Sequence, residues 1–255
     1  MRLRLPGGRV GSEALDALAR FAERYGDGRV HVTSRSNLQV RALPGSEQLP
    51  TGVLAELEAT GLLPSRTHDL ARNVMASPQT GLAGAPADLR PVITSLDAAI
   101  CADPVLGELP GRFLFVLDDG TGDLLDSTCD LGLVALDDAH AQLRIGDGWG
   151  DVVPLPSAHE ELVALARAFL RVRGGGPSAA WHVRELPSPL APVRSPDPRV
   201  PPLAAPLPYG AVPGGRHVPV PSEGLDRSTV ERLRAAASEL VVTPWRGVLI
   251  PEENR

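Results

Sequence analysis

Hydrophobic and polar positions along this chain fall into one arrangement twice. Leu15, Leu18, Ala19 and Ala22 stand at i, i+3, i+4 and i+7, and Val230, Leu233, Ala237 and Leu240 form a second stripe. Each stripe predicts an amphipathic helix with one buried face. A strand pair follows each helix, RVHVTSRSNLQVRAL from Arg29 and LVVTPWRGVLIP from Leu240. Aligned, Thr33 falls on Thr243, Arg35 on Trp245, Asn37 on Gly247 and Gln39 on Leu249. A copy of roughly 45 residues lies near the lower limit for an unaided domain, so the copies must pack on each other or on what lies between them.

The first copy reads as a strand (Arg2 to Leu5), a turn at Pro6-Gly7-Gly8, a helix over about 13–25, and strands near 29–34 and 37–43, a β-α-β-β half. Ser12 is its helix cap, and Ser228 with Glu231 has the spacing of a capping box in the second copy. Between the copies come a helix at 51–60, a turn-rich stretch with Asp69, Arg72 and Asn73, and a helix near 93–102. Phe113 to Leu117 is apolar on both alternating faces and predicts an inner strand. Ser157 and Glu160 open a helix carrying Leu162, Val163, Ala166, Phe169 and Leu170, which Gly174-Gly175-Gly176 ends. AAWHVREL predicts a strand, and nine prolines between Pro187 and Pro208 predict an extended connector. The organisation expected is a half-domain at 1–48, a middle α/β domain at 55–184, a Pro-rich linker at 185–208, and a second half-domain at 209–255. The fold class is α/β (α+β), with two β-α-β-β half-domains pairing across an inserted α/β domain.

A hydrophobic content of 43% suffices for a core, and a net charge of −6 argues against general nucleic-acid binding. No apolar run approaches the roughly 18 residues needed to span a bilayer, and MRLRLPGG has no apolar signal core. The expected setting is cytoplasmic and reducing, with no membrane and no nucleic-acid partner. All 25 basic residues are arginine, which excludes a Schiff-base or P-loop lysine. GC-rich coding accounts for that bias, and a guanidinium fork also suits carboxylates; both readings stand. Cys101 and Cys129 are too few for a four-cysteine cluster or a closed zinc site, and no metal ligands are assigned.

The polar set that could carry chemistry is Arg4, Arg35, Asn37, Gln39, Arg41, Arg72 and Asn73. Arg35, Asn37, Gln39 and Arg41 alternate by two, so one strand would present them on one face. That face is either the solvated side of a half-exposed sheet or a grip for a polyanion. Asp118-Asp119-Gly120 reads as a hairpin turn, His68-Asp69 as turn capping, and Trp245 as a packing residue. His159-Glu160-Glu161 lacks the spacing of a zinc protease.

The segments R-L-R-L-P-G-G (2–8), T-S-R-S-N-L-Q-V-R (33–41), A-R-N-V-M-A-S-P-x-x-G (71–81) and V-V-T-P-W-R-G-V-L-I-P (241–251) resemble, in order, the nitrite/sulfite reductase family with its duplicated ferredoxin-like half-domains. T-P-W-R and GRFLFVLDDG are most similar to the precorrin-3B synthase branch of aerobic cobalamin biosynthesis. The resemblance implies an oxidoreductase with a sirohaem or tetrapyrrole site, in which Arg4 and Arg72 face substrate and Arg35 grips the ring's carboxylates. Asn37 and Gln39 add neutral donors, Asn73 fixes the turn holding Arg72, and Arg246 contacts the ring or solvent. It also implies a [4Fe–4S] centre whose four cysteines this sequence lacks, so a separate iron–sulfur domain or chain becomes the expected partner. Reductases of the family carry a lysine pair where this chain has Arg112, Phe113 and Leu114, which weighs against sulfite or nitrite as substrate. A tetrapyrrole-binding module without catalysis, a degenerate fragment, and a sulfite/nitrite reductase-like subunit are the alternatives.

Overall fold

The first apolar stripe folds as a helix, whereas of the second only Val230 and Leu233 are helical, Ala237 being the extended C-cap and Leu240 part of the next strand. The two copies share one sheet, as their size requires. The computed structural model describes residues 1–44, 49–82 and 84–252. The expected half-domain ends at 45–48 and 253–255 lie outside the described residues. The chain divides into two units, Met1–Arg66 with Leu207–Arg255, and Thr67–Pro206.

The first copy runs β1 (Arg2–Leu3), a 3-10 turn (Pro6–Gly8), β2 (Arg9–Gly11), α1 (Ser12–Tyr25), β3 (His31–Val32) and β4 (Leu38–Gln39), followed by α2 (Thr51–Glu58). α1 buries Leu15, Leu18, Ala19 and Ala22, the predicted stripe. Its N-cap is Gly11, with no side-chain cap. Ser12 falls inside the helix because its N–H donates to Ser238 O of the second copy, at 2.9 Å.

The second unit opens with a 3-10 turn (Asp69–Ala71) and β5 (Val74–Ala76), then α3 (Arg90–Ala102), β6 (Phe115–Asp118), β7 (Leu131–Ala135), β8 (His140–Ile145), β9 (Gly148–Pro154) and α4 (Ala158–Val172). Its sheet has the order β5-β6-β7-β8-β9, with β5, β6 and β7 parallel and the last two joined antiparallel. β6 is buried at every position, as an inner strand must be. The apolar faces of α3 (Val92, Ile93, Leu96, Ile100) and α4 (Leu162, Val163, Ala166, Phe169) belong to one core with Phe113, Phe115 and Leu133.

Three expectations for this unit are corrected. Ser157 is the N-cap of α4 but forms no capping hydrogen bond; its hydroxyl donates to Pro154 O instead. AAWHVREL is no strand: Val183–Glu185 is a 3-10 turn, capped by His182 and Glu185 and held by Asp130, which accepts from Val183 N at 2.9 Å. The Pro-rich segment is extended but docked on the second unit as far as Pro206. Gln142 binds it through Nε2 to Ser195 O at 2.9 Å and through Oε1 from Asp197 N at 2.7 Å, and Ala204 N donates to Gly122 O at 3.0 Å.

The second copy has β10 (Gly210–Val212), β11 (Gly215–Pro219), α5 (Arg227–Ala236), β12 (Glu239–Val242) and β13 (Gly247–Pro251). α5 is capped by Asp226, which accepts from Thr229 N at 2.9 Å, so the expected Ser228/Glu231 box is displaced by a stronger acceptor two residues earlier. The copies are joined by one crossing strand and one isolated bridge. β2 joins the sheet β10-β11-β13-β12-β2, pairing Val10 with Leu240, while Leu225 of the second copy forms a bridge with Val30 of the first. α1 and α5 share one apolar core. Between them the fully buried Asp16 meets Arg20 at 2.5 Å and both Arg227 and Arg234 at 3.5 Å. Among the described residues no helix is long and apolar enough to cross a membrane.

Candidate functional site

The duplication is sharpest in the turns that join the last two strands of each copy. Thr33 N donates to Asn37 O and Thr243 N to Gly247 O, both at 2.9 Å. Each threonine hydroxyl accepts from the amide four residues on, at 3.1 Å from Asn37 and 3.2 Å from Gly247. Ser36 and Arg246 occupy equivalent places and are both left-handed, with φ of 56° and 57°. The two turns converge on Gly8. With φ +72°, it leaves no room for a Cβ between Ser36 and the Val242 carbonyl.

Beside this junction the copies differ chemically. In the first, Asn37 is buried and its Oδ1 accepts from Leu5 N at 2.9 Å, clipping the segment that carries Arg4 onto the turn. Arg4 is itself buried, its Nη1 donating to Arg2 O at 3.0 Å. In the second, Gly247 replaces Asn37, because a Cβ there would strike the His217 ring. His217 is fully buried. Its Nδ1–H donates to the Leu207 and Pro208 carbonyls at 3.1 and 3.2 Å, and its Nε2 accepts from the Thr243 hydroxyl at 2.9 Å. Burial lowers its pKa, opposed by those carbonyls. Tyr209 stacks on that ring at 4.7 Å and donates to Trp245 O at 2.6 Å. This His217–Tyr209 support has no sequence signal, since its partners are backbone carbonyls.

The single polar strand face expected from Arg35, Asn37, Gln39 and Arg41 is not formed. β4 is two residues long, Arg35 lies half-buried in the turn, Asn37 is buried, Gln39 is half-buried opposite Arg2 and His31, and Arg41 is exposed. The turn bonds of Thr33 override strand periodicity here. Arg4, Arg35, Asn37, Gln39 and the exposed Arg246 nevertheless all belong to the first unit, on or beside the paired turns.

Arg72 and Asn73 belong to the second unit, immediately before β5. Asn73 Nδ2 donates to Phe113 O and its carbonyl accepts from Phe115 N, both at 3.0 Å, fixing the backbone that holds Arg72. Arg72 is 5% exposed and makes a bidentate pair with Asp97 of α3, Nε to Oδ1 at 2.7 Å and Nη2 to Oδ2 at 2.8 Å. Burial works against its charge, but the hydrogen bonds and charge of Asp97 outweigh it and raise its pKa. Asp97 is absent from the polar set read off the sequence. A signal for it exists: it is the only acidic residue within the helix Arg90–Ala102.

Asp118-Asp119-Gly120 forms no hairpin, because β6 and β7 run parallel. Asp118 accepts from the amides of Gly120 and Gly122 at 2.9 Å and Leu124 at 3.0 Å, building a loop that brings carboxylate oxygens of Asp118, Asp119 and Asp123 within 4.8 Å of one another. Burial and the two neighbouring carboxylates push Asp123 up to about 7. Burial pushes Cys129 up to about 12, and burial with Asp97 raises Cys101. Two half-buried cysteines do not make a four-thiolate cluster site.

A duplicated ferredoxin-like half-domain in which a strand of the first copy joins the sheet of the second, with an α/β unit inserted between the copies in sequence, is the class that these elements define. Residues 1–58 match the family model of the nitrite/sulfite reductase ferredoxin-like half domain. A ferredoxin–nitrite reductase of Synechococcus elongatus is 36% identical over 126 residues, covering 47% of this chain and 24% of the relative. One from Leptolyngbya laminosa is 32% identical over 120 residues, covering 44% and 23%. The chain thus spans about a quarter of the length of the curated relatives it matches. The structure of the Mycobacterium tuberculosis NirA protein superposes with a TM-score of 0.70 over 99% of this chain and 53% of that one, at 16% identity, which establishes the shared fold.

Proposed function

We propose that this chain is the tetrapyrrole-gripping part of a nitrite/sulfite reductase-type oxidoreductase of the precorrin-3B synthase kind, its ligand a sirohaem-class or precorrin ring. The observation that carries the reading is the pair of equivalent turns in the first unit, one bearing Arg35 and the other Arg246, with Arg4 clipped beside the first. Such a ring is a polyanion, and each charge-assisted arginine–carboxylate contact contributes about 1.5–3 kcal/mol. Arg35 and Arg246 hold ring carboxylates, Gln39 adds a neutral donor, and Arg4 meets the reacting side of the ligand. Asn37 acts one step back, because its oxygen is committed to Leu5 N. A bound sirohaem would supply the electron-transfer chemistry, and an iron–sulfur centre has to come from another domain or chain.

Two features favour precorrin over nitrite or sulfite. Phe113 and Leu114, at the family's lysine-pair region, are buried apolar residues, and Arg112 lies over the Trp181 ring at 5.8 Å. The second reading is a tetrapyrrole-binding module without catalysis. Titration of the purified protein with sirohaem, followed by ring absorbance, tests the proposal. Saturable binding that Arg35→Ala weakens about tenfold or more is expected; absence of binding contradicts both readings. Turnover of precorrin-3A with oxygen, once an iron–sulfur partner is supplied, separates them.

A further inference from the structure

The loop that leaves β6 gathers more buried carboxylate than its neighbours neutralise. Asp118, the last residue of β6, and Asp119 are fully buried, and Asp123 is half-buried. One oxygen from each lies within 4.8 Å of the other two. Among the described residues no arginine or histidine pairs with any of the three, whose partners are amides and hydroxyls. Buried charges are ordinarily paired or bound to metal. The donors also run out before the acceptors do. Asp118 accepts from the amides of Gly120, Gly122 and Leu124, and Asp119 Oδ1 from the amide and hydroxyl of Thr121 at 3.2 and 2.6 Å. Ser77, just after β5, stands beside both Asp119 and Asp123, but its single hydroxyl proton goes to Asp123 Oδ1 at 2.6 Å, and its oxygen accepts from Asp119 N at 3.1 Å. Asp119 Oδ2 is left buried with no hydrogen-bond donor among the described residues. Burial, with the neighbouring carboxylates, raises the pKa of both Asp119 and Asp123.

We propose that Asp118, Asp119 and Asp123 form a binding site for one hard divalent cation, and that calcium is the ion their spacing suits. The site lies wholly within the second unit and does not depend on the tetrapyrrole reading. Its donors are all oxygen, with no imidazole or thiolate, which selects calcium, magnesium or manganese over zinc or copper. Calcium binds oxygens at about 2.3–2.6 Å, so two of its ligands stand up to about 5 Å apart, whereas magnesium, at about 2.0–2.1 Å, draws them to about 4 Å. A carboxylate set contained within 4.8 Å closes round the larger ion. An ion held in this way lies in the gap between the oxygens rather than in a pocket, and the half-buried Asp123 is its way in from solvent. Asp119 contributes the donorless Oδ2, Asp118 the remaining lone pair of Oδ2, and water completes the shell. The location fits: Ser77 and Asp118 mark the carboxyl ends of the adjacent parallel strands β5 and β6, the end at which open parallel sheets hold ligands. Ala204 N donates to Gly122 O in the same loop, so a bound ion also steadies the support of the Pro-rich segment.

The test is calorimetric titration of the full chain, stripped with a chelator and dialysed, with calcium chloride at pH 8, and melting temperatures recorded alongside. One calcium per chain is expected, with a dissociation constant below about 1 mM and a melting temperature that climbs with calcium concentration. Magnesium is expected to bind about tenfold more weakly. Asp119→Asn and Asp123→Asn should each weaken calcium binding about tenfold or more, while Asp126→Asn, an exposed carboxylate three residues on, should leave it unchanged. Asp118 is kept intact because its three amide bonds build the loop. Should Asp119→Asn fail to fold, the half-buried Asp123→Asn decides the matter alone. No saturable calcium binding by the parent overturns the proposal and leaves a shared carboxyl proton as the partner of Asp119 Oδ2. Parent-like binding in Asp123→Asn also overturns it, since the ion would then sit elsewhere, and so does an equal loss in Asp126→Asn, which would mark a diffuse charge effect. Magnesium bound as tightly as calcium overturns the choice of ion.

Discussion

The two copies keep one backbone and use their side chains differently. Their turns repeat the same threonine-centred hydrogen bonds and the same left-handed residue. What buttresses the turns is not repeated: an amide side chain, Asn37, clips the first, and an imidazole, His217, supports the second. Arg35 in the first corresponds to Trp245 in the second. Duplication therefore preserves the geometry that pairs the halves, while the first copy has an arginine and the second a tryptophan at the equivalent turn position.

The largest effect should come from the residue on which both turns converge. Gly8→Ala combines a left-handed backbone with a clash against the Val242 carbonyl and is expected to cost roughly 3 kcal/mol or more in denaturant unfolding. A Gly8→Ala variant as stable as the parent would break the claim that the turns meet there. Asn37→Ala leaves the buried Leu5 amide without its acceptor and should cost about 2 kcal/mol, with no dependence on pH.

His217 sharpens the comparison because its buttress titrates. Its folded pKa lies below the usual value of about 6.5, so the unfolded chain takes up the proton first. The stabilisation is full above that pH and is lost as pH falls toward the folded value. The melting-temperature difference between the parent and His217→Asn should shrink as pH falls from 8 to 5, while that between the parent and Asn37→Ala stays constant; a constant difference for both would refute the assignment. Asp123 contributes with the opposite sign. Its folded pKa of about 7 exceeds the carboxylate value of about 4, so stability declines as pH rises between the two, and Asp123→Asn should remove that decline. The smallest effect concerns the helix starts, where Asp226 caps α5 and Gly11 caps α1 with no side chain. Gly11 has open space and a φ of −65°, so Gly11→Asp should stabilise by a few tenths of a kcal/mol, about 0.5 at most.

Periodicity is enough to find both half-domain helices, the inner strand and the repeat, because those signals are local. The docking of the Pro-rich segment is not legible, since it depends on Gln142, a residue about 50 positions away whose two polar ends bind backbone. The strands β7 to β9 carry no motif and give no comparable signal. Cap positions slip where a neighbouring acceptor, as at Asp226, outcompetes the expected serine. At the candidate site Arg4, Arg35 and Arg72 are legible as a polar set from the residues themselves, and the roles given to them come from motif resemblance. The turn that removes Asn37 from the exposed face, and the pairing of Arg72 with Asp97, follow only from tertiary contacts.

The central claim is that the paired turns grip one polyanionic ring from two sides. Sirohaem titration of Arg35→Ala, Arg246→Ala and the double variant tests it most directly. The account predicts that each single change weakens binding and that the double loses about the product of the two, roughly a hundredfold if each loses tenfold. A double variant that binds sirohaem as tightly as the parent would contradict it.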